Sequence, residues 1–362
     1  MRFERAAFFS LPFKGEGLRK TNLSVKRRAT QHYTNLPQWG ACRTRDTLKL
    51  FYADHFVLPL PEGHRFPMVK YARLRARLLA SALFHPDDFV VPDAATDEAI
   101  LRAHDAAYLS RVAEGSLDAA EIRRIGFPWS PGMVERSRRS AGATLAACRA
   151  ALTEGCGVNL AGGTHHAHRD FGSGFCVFND AAIAALAMRA EGRARRIAII
   201  DCDVHQGDGT AAILRDKPDI FTCSLHGAKN FPFRKQTSDL DVELADGTGD
   251  EDYLKALELA LEQVFTRAAP DLVIYLAGAD PYSGDRLGRL DLSIEGLARR
   301  DLTVLSTCRA HGSAVAVAMA GGYASDIDDT VSIHVATVLT AARVFADNGN
   351  RDAPARLTTE SR

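Results

Sequence analysis

The run Arg196-Ile197-Ala198-Ile199-Ile200-Asp201-Cys202-Asp203-Val204-His205-Gln206-Gly207-Asp208 decides how this chain is read. Its approach through Ile197, Ile199 and Ile200 is apolar and β-branched, the composition of a buried strand. Side chains alternate faces along a strand. Asp201, Asp203 and His205 are therefore predicted to project one way, with Cys202 and Val204 packing on the other. Two carboxylates and an imidazole in one row suit a divalent metal such as zinc, iron(II) or manganese. About thirty-five residues earlier stands Gly162-Gly163-Thr164-His165-His166. There, paired glycines precede two adjacent imidazoles that a short loop can aim at one point. Together the two runs predict a catalytic metal site.

Outward from this strand, short apolar runs alternate with helical patterns. Strands are expected over 48–52, 157–161, 196–202, 220–225, 271–277 and 313–320. Helices are expected over 68–84, 131–153, 179–190, 250–267, 294–311 and 330–345. The spacing of Leu254, Leu257, Leu261 and Val264 marks a core-facing stripe. Such alternation predicts an α/β fold: one domain with a mainly parallel sheet between two helical layers. Ligands of such sheets gather beyond the carboxyl ends of the strands. His165, His205, Asp280 and Tyr323 each follow a different candidate strand, so the four converge on one mouth.

Composition bounds the rest. The 362 residues are 46% hydrophobic, enough for an extensive core, and 45 basic residues balance 45 acidic ones. That balance argues against a dedicated nucleic-acid surface. The seven cysteines are scattered without a Cys-x-x-Cys pair, the pattern of reduced thiols in a cytoplasmic enzyme. No apolar run reaches membrane-spanning length, so no membrane partner is expected. Residues 1–47 carry basic excess and no signal-peptide core, and are read as a disordered leader or N-terminal extension. Residues 48–345 are read as the catalytic domain and 346–362 as a flexible tail.

A catalytic metal of this kind takes three protein ligands and keeps a position open. Asp203 and His205 supply two; Asp280 and His226, each after an apolar strand, compete for the third. A base must accept a proton from water and an acid must protonate the leaving group, and the tandem histidines can do both. Each needs its other ring nitrogen held by an acceptor, for which Asp201 and Asp208 are available.

These blocks, with Leu276-Ala277-Gly278-Ala279-Asp280 and Gly321-Gly322-Tyr323, resemble the zinc-dependent histone deacetylase family of the arginase/deacetylase fold. Pro61-Glu62-Gly63-His64-Arg65-Phe66-Pro67-Met68 and Gly126-Phe127-Pro128-Trp129-Ser130 look most like its class IV and bacterial branch. The resemblance runs from about Leu48 to about Phe345, with its motifs in the family's order. It implies zinc, with iron(II) also compatible, on Asp203, His205 and Asp280. It pairs Asp201 with His165 and Asp208 with His166, makes His166 the general base and acid, and makes Tyr323 an oxyanion donor. It places Gly174 and Phe175 along one wall of a substrate tunnel, with Phe231 and Leu287 opposite and Phe233 as a rival to Phe231. It further implies a structural monovalent cation, potassium, on Asp201, Ser224 and the carbonyls of Asp203, His205 and Leu225. Gln206 stands where many relatives have a second histidine. Asp105 has no secure equivalence to the rim aspartate that orients peptides in other branches.

The activity implied is removal of an acyl group, typically acetyl, from acyl-lysine in a protein or peptide. The alternatives are hydrolysis of an acetylpolyamine or another small N-acylamine, a two-manganese arginase-like ureohydrolase, and a silent acyl-lysine-binding module. The ureohydrolase needs further ligands for a second metal, whereas the remaining carboxylates between Asp201 and Asp208 serve the histidines.

Overall fold

The computed structural model describes residues 48–346. The predicted extension over 1–47, and all but the first residue of the predicted tail, lie outside the described residues. Within them a single sheet is built from β1 (Lys49–Phe51), β2 (Phe89–Val90), β3 (Cys156–Asn159), β4 (Ile197–Asp201), β5 (Ile220–Gly227), β6 (Leu240–Leu244), β7 (Leu272–Leu276) and β8 (Ala314–Ala318). Their spatial order is β2-β1-β3-β8-β7-β4-β5-β6. Every neighbouring pair is parallel, and the central strands are buried on both faces, which is why they read as continuous apolar runs.

The strand alternation sorts side chains into two cores. Ala198, Ile200, Cys202, Val273, Tyr275, Val315 and Val317 pack on one face with helices α1 (Val69–Ala80), α8 (Asp250–Ala268), α9 (Ile294–Ala310) and α10 (Ile327–Phe345). Ile197, Ile199, Leu272, Ile274, Ala316 and Ala318 pack on the other with α2 (Asp97–Leu101), α3 (Ala106–Glu114), α4 (Ala119–Ile125), α5 (Pro131–Glu154), α6 (Asp180–Ala190) and α7 (Asp208–Leu214). Helix starts follow local chemistry. Ser130 caps α5 by accepting from the Met133 amide ahead of Pro131, and Asn179 caps α6 by accepting from that of Ala182. The three-layer α/β architecture is the one predicted.

Register places the site. Asn159, Ala318, Leu276, Asp201 and Ser224 stand side by side across β3, β8, β7, β4 and β5. The loops carrying the histidine pair, Tyr323, Asp280 and the Asp203–His205 run therefore leave four adjacent strands at one level, as at a carboxyl-end crevice.

The structure departs from the sequence reading at β4. The strand ends at Asp201, so strand alternation does not carry Asp203 and His205 to its face. Instead Asp201 Oδ1 accepts from the Asp203 amide at 3.1 Å, and Asp203 Oδ1 accepts from the His205 amide at 3.0 Å. A chain of carboxylate-to-backbone bonds bends the loop and still turns both side chains inward. Cys202 and Val204 do pack away from the site, in the opposite core. Edge strands β2 and β6 and helices α2, α3, α4 and α7 are additions to the predicted elements. In β6 the alternation of Leu240, Val242 and Leu244 with Asp241 and Glu243 is the pattern of an edge strand.

Candidate active site

Asp203, His205 and Asp280 meet with their ligand atoms within 4.8 Å of one another. His205 Nδ1 lies 2.9 Å from Asp203 Oδ1 and 3.4 Å from Asp280 Oδ2. The backbone fixes the carboxylates from outside: the Gly321 amide donates to Asp203 Oδ2 at 2.8 Å, and the Val204 amide to Asp280 Oδ1 at 2.9 Å. Position 321 has to be glycine, because a Cβ there would fall 2.5 Å from Asp203 Oδ2 and closer still to Asp280 Oδ2.

The electrostatics fit a divalent cation. Burial and the neighbouring Asp203 push Asp280 up to about 7, while its Oδ2 is buried with no hydrogen bond. Burial disfavours a charged His205, yet Asp203 and Asp280 outweigh it and raise that group to about 10. Two buried carboxylates crowding one point call for positive charge, and a one-nitrogen, two-oxygen donor set is one that zinc or iron(II) accepts. His226 is not part of this group. Its Nδ1 lies 2.9 Å from Ser224 Oγ, and it is Asp280 that stands with Asp203 and His205.

Both predicted dyads form. His165 Nδ1 lies 2.6 Å from Asp201 Oδ2, and His166 Nδ1 lies 2.7 Å from Asp208 Oδ1. An ionised carboxylate only accepts, so each Nδ1 carries the proton. The two rings, 4.1 Å apart, differ sharply in charge preference. Burial opposes a charged His165, but Asp201 and Asp203 raise it to about 9. Burial and the adjacent His165 lower His166 to about 4, against the pull of Asp208. His166 is thus neutral near pH 7, and its ring stands 5.8 Å from that of His205.

The remaining predicted residues line the same cavity of 580 Å³: Gly174, Phe175, Phe231, Leu287 and Tyr323. The Phe231 ring packs edge-on against His166 at 4.9 Å. Phe233 also reaches the cavity but is 85% exposed, a place at the rim. Phe175 is pinned by its amide donating to the Ile125 carbonyl at 2.7 Å. Gly174 leaves room for His166, whose Cδ2 a Cβ would meet at 2.6 Å. The Tyr323 hydroxyl bonds to no group among the described residues, although the residue is buried. Asp105 stands at the start of α3 without a side-chain capping bond and pairs with Arg169 at 3.3 Å, away from the cavity lining.

Several supporting residues escaped the sequence reading. Asp180 accepts from the amides of Gly163 and Thr164 at 3.0 and 2.7 Å, and so shapes the loop before the histidine pair. His168 Nε2 lies 3.0 Å from Asp208 Oδ2, the oxygen that His166 leaves free. Asp285 accepts from the Tyr323 amide at 2.6 Å and from the Leu287 amide at 2.8 Å, tying the two walls together. Lys70, buried, donates to the carbonyls of Ala320 and Gly322 at 3.3 and 3.4 Å and sits 5.3 Å from the Tyr323 ring. Only the spacing of His168, two residues after His166, gave any local signal; the others act across long stretches of chain.

Comparison with known proteins agrees with this geometry. The histone deacetylase domain family matches residues 64–339. An uncharacterized protein of Picosynechococcus sp. is 45% identical over 283 residues, covering 78% of this chain and 94% of that one. Histone deacetylase 2 of Arabidopsis thaliana is 30% identical over 305 residues, covering 82% and 75%. The histone deacetylase-like amidohydrolase of Pseudomonas aeruginosa is 29% identical over 344 residues, covering 91% and 90%. In fold, the crystal structure of an HDAC homolog from Aquifex aeolicus matches with a TM-score of 0.69 at 22% identity, over 83% of this chain and 89% of that one. A domain match spanning seven of the eight strands and all four site loops makes this chain a hydrolase of the histone deacetylase family, with the arginase/deacetylase-like α/β fold.

Proposed function

We propose that the protein hydrolyses the amide of an acylated amine, removing an acyl group, typically acetyl, from acyl-lysine. The observation that carries this is the His166–Asp208 pair standing beside the Asp203, His205 and Asp280 group in a cavity walled by Phe175, Phe231 and Leu287. Asp203, His205 and Asp280 would hold zinc or iron(II), which when bound polarises the amide carbonyl and acidifies a water molecule. His166 then accepts the water proton at Nε2, since its Nδ1 proton is committed to Asp208, and passes it to the departing amine. His165, held charged by Asp201, stabilises the negative charge that develops beside it. Tyr323, its hydroxyl free of other partners, donates to the amide oxygen. Phe175, Phe231 and Leu287 take the methylene stem of the substrate and exclude water.

A monovalent ion such as potassium belongs, on this reading, behind His165. Asp201 and Ser224 stand paired across β4 and β5, and the family resemblance adds the carbonyls of Asp203, His205 and Leu225. The arginase-like alternative finds no support: Asp201 and Asp208 are each engaged by a histidine, and the described residues hold one group able to take a metal.

The test is hydrolysis of acetyl- and longer acyl-lysine peptides and of acetylpolyamines by the metal-loaded protein, with metal content measured alongside. One divalent ion per chain, lost in Asp203→Ala together with amine release, is the expected result. Two metals per chain, or metal-loaded protein inert on every N-acylamine, would refute the proposal.

A further inference from the structure

The cavity mouth carries charge of one sign. Arg65, Arg124, Lys229 and Arg289 line it, and among the described residues its only lining carboxylate is Asp203 at the floor. All four cationic residues are exposed, and they come from four separate segments: the loop before α1, the end of α4, the loop after β5 and the loop after β7. Neither Arg65 nor Arg124 has an ion-pair partner among the described residues; Arg124 rests on the Phe171 ring at 4.7 Å. Lys229 and Arg289 share one carboxylate, Asp246, at 3.7 and 3.3 Å. The chain as a whole balances 45 basic against 45 acidic residues, so this excess is local.

Low-dielectric walls concentrate the field of such a ring on whatever stands in the opening. An acylated amine threads its apolar stem inward and leaves the rest of the molecule among these cations. A flank bearing carboxylates is drawn in, and a flank bearing ammonium groups is repelled. From this we infer that the substrate is an acylamine carrying carboxylate outside the tunnel, selected by Arg65, Arg124, Lys229 and Arg289. Acetylpolyamines, cationic beyond the acylated nitrogen, are the disfavoured class. The inference rests on the acylamine hydrolysis proposed above and names the charge of its substrate.

The test uses substrates matched except for charge outside the tunnel. They are an acetyl-lysine peptide flanked by Asp, Ala or Lys, an α-blocked acetyl-lysine with a free carboxylate or a carboxamide, and N-acetylspermidine. Turnover is read as kcat/KM, and binding of dye-labelled versions by fluorescence polarisation, at low and high salt. The carboxylate-bearing member of at least one matched set should exceed its neutral counterpart by about tenfold at low salt. The margin should shrink as salt screens the rim and in the Arg65→Gln/Arg124→Gln double variant. Whether the peptide or the amino-acid pair shows the margin identifies the source of the carboxylate. Equal binding and turnover across the charge series, or preference for the Lys-flanked peptide or N-acetylspermidine, would overturn the inference. Charge-ordered binding without any turnover would instead fail the hydrolytic reading and support charge selection.

Discussion

His166 is an imidazole kept neutral by burial and, after that, by the charged histidine beside it. Burial and His165 hold it at about 4, whereas His165 itself stays protonated to about 9 between Asp201 and Asp203. One ring can therefore take a proton at pH 7 and the other can only stabilise charge. His166→Ala is expected to lose more kcat than His165→Ala. Tyr323→Phe, which removes a hydroxyl but keeps the ring that packs beside Phe66 and Phe175, should lose about 10²–10³-fold in kcat. Metal content should survive all three changes. Steady-state kinetics with metal analysis decides: near wild-type kcat in Tyr323→Phe makes it a packing residue, and equal mild losses in the two histidine variants dissolve the division of labour.

Helix α9 supports the loops of Asp203 and Asp280 from behind the sheet. Arg300, fully buried, donates through Nη1 to the carbonyls of Gly278 at 2.6 Å and Cys202 at 3.3 Å, residues on the loops that carry Asp280 and Asp203. Its Nε and Nη2 bond to Asp301, which also accepts from the Tyr275 hydroxyl at 2.6 Å and from Thr337 at 2.5 Å. The pair is fully satisfied, so breaking one side should strand a buried charge. Arg300→Met is expected to cost roughly 3–5 kcal/mol and to weaken metal retention. Arg300→Met/Asp301→Leu should recover much of the stability, since both charges are then gone. Urea unfolding measures this, and a single variant within about 1 kcal/mol of wild type would remove the supporting role.

Buried neutral histidines give the whole molecule a predictable acid sensitivity. Burial lowers His104 and His226 to about 4, and holds His334 well below its ordinary value. His104 Nε2 accepts from the Asn179 amide at 2.9 Å, a bond available only to the neutral ring. Between pH 6.5 and 4 the unfolded chain binds protons that these folded histidines refuse, so their contribution is complete above 6.5 and falls as pH drops. From pH 7 to 5 each should remove at most about 2 kcal/mol. His104→Gln, which keeps an acceptor for Asn179 without titrating, should flatten the fall in urea midpoint; an unchanged slope would assign the acid sensitivity to other groups. No helix among the described residues is long and apolar enough to cross a membrane.

The central strands, the long helices and the residues that meet at the site were legible in the sequence, because each leaves a local mark. Strands buried on both faces are unbroken apolar runs, as β7 shows from Leu272 to Leu276. Side chains with metal- and proton-handling chemistry cluster at strand ends, as at Asp201–Asp208. Local pattern did not reveal how Asp203 and His205 turn inward once β4 has ended, which depends on carboxylate-to-amide bonds within a bent loop. Nor could it separate Asp280 from His226 as third ligand without the family resemblance. Their placement follows from the register of β7 beside β4, which sets Asp280 against Asp203 and leaves His226 to Ser224. Asp180, Asp285, Lys70 and Arg300 are ordinary charged residues along the chain. They acquire meaning only when folding brings backbone carbonyls and amides from distant segments within hydrogen-bonding reach, in a core where each such group must find a partner. The cationic mouth is likewise a product of assembly: four residues on four segments, in a chain of balanced charge, form a field only once the loops stand side by side.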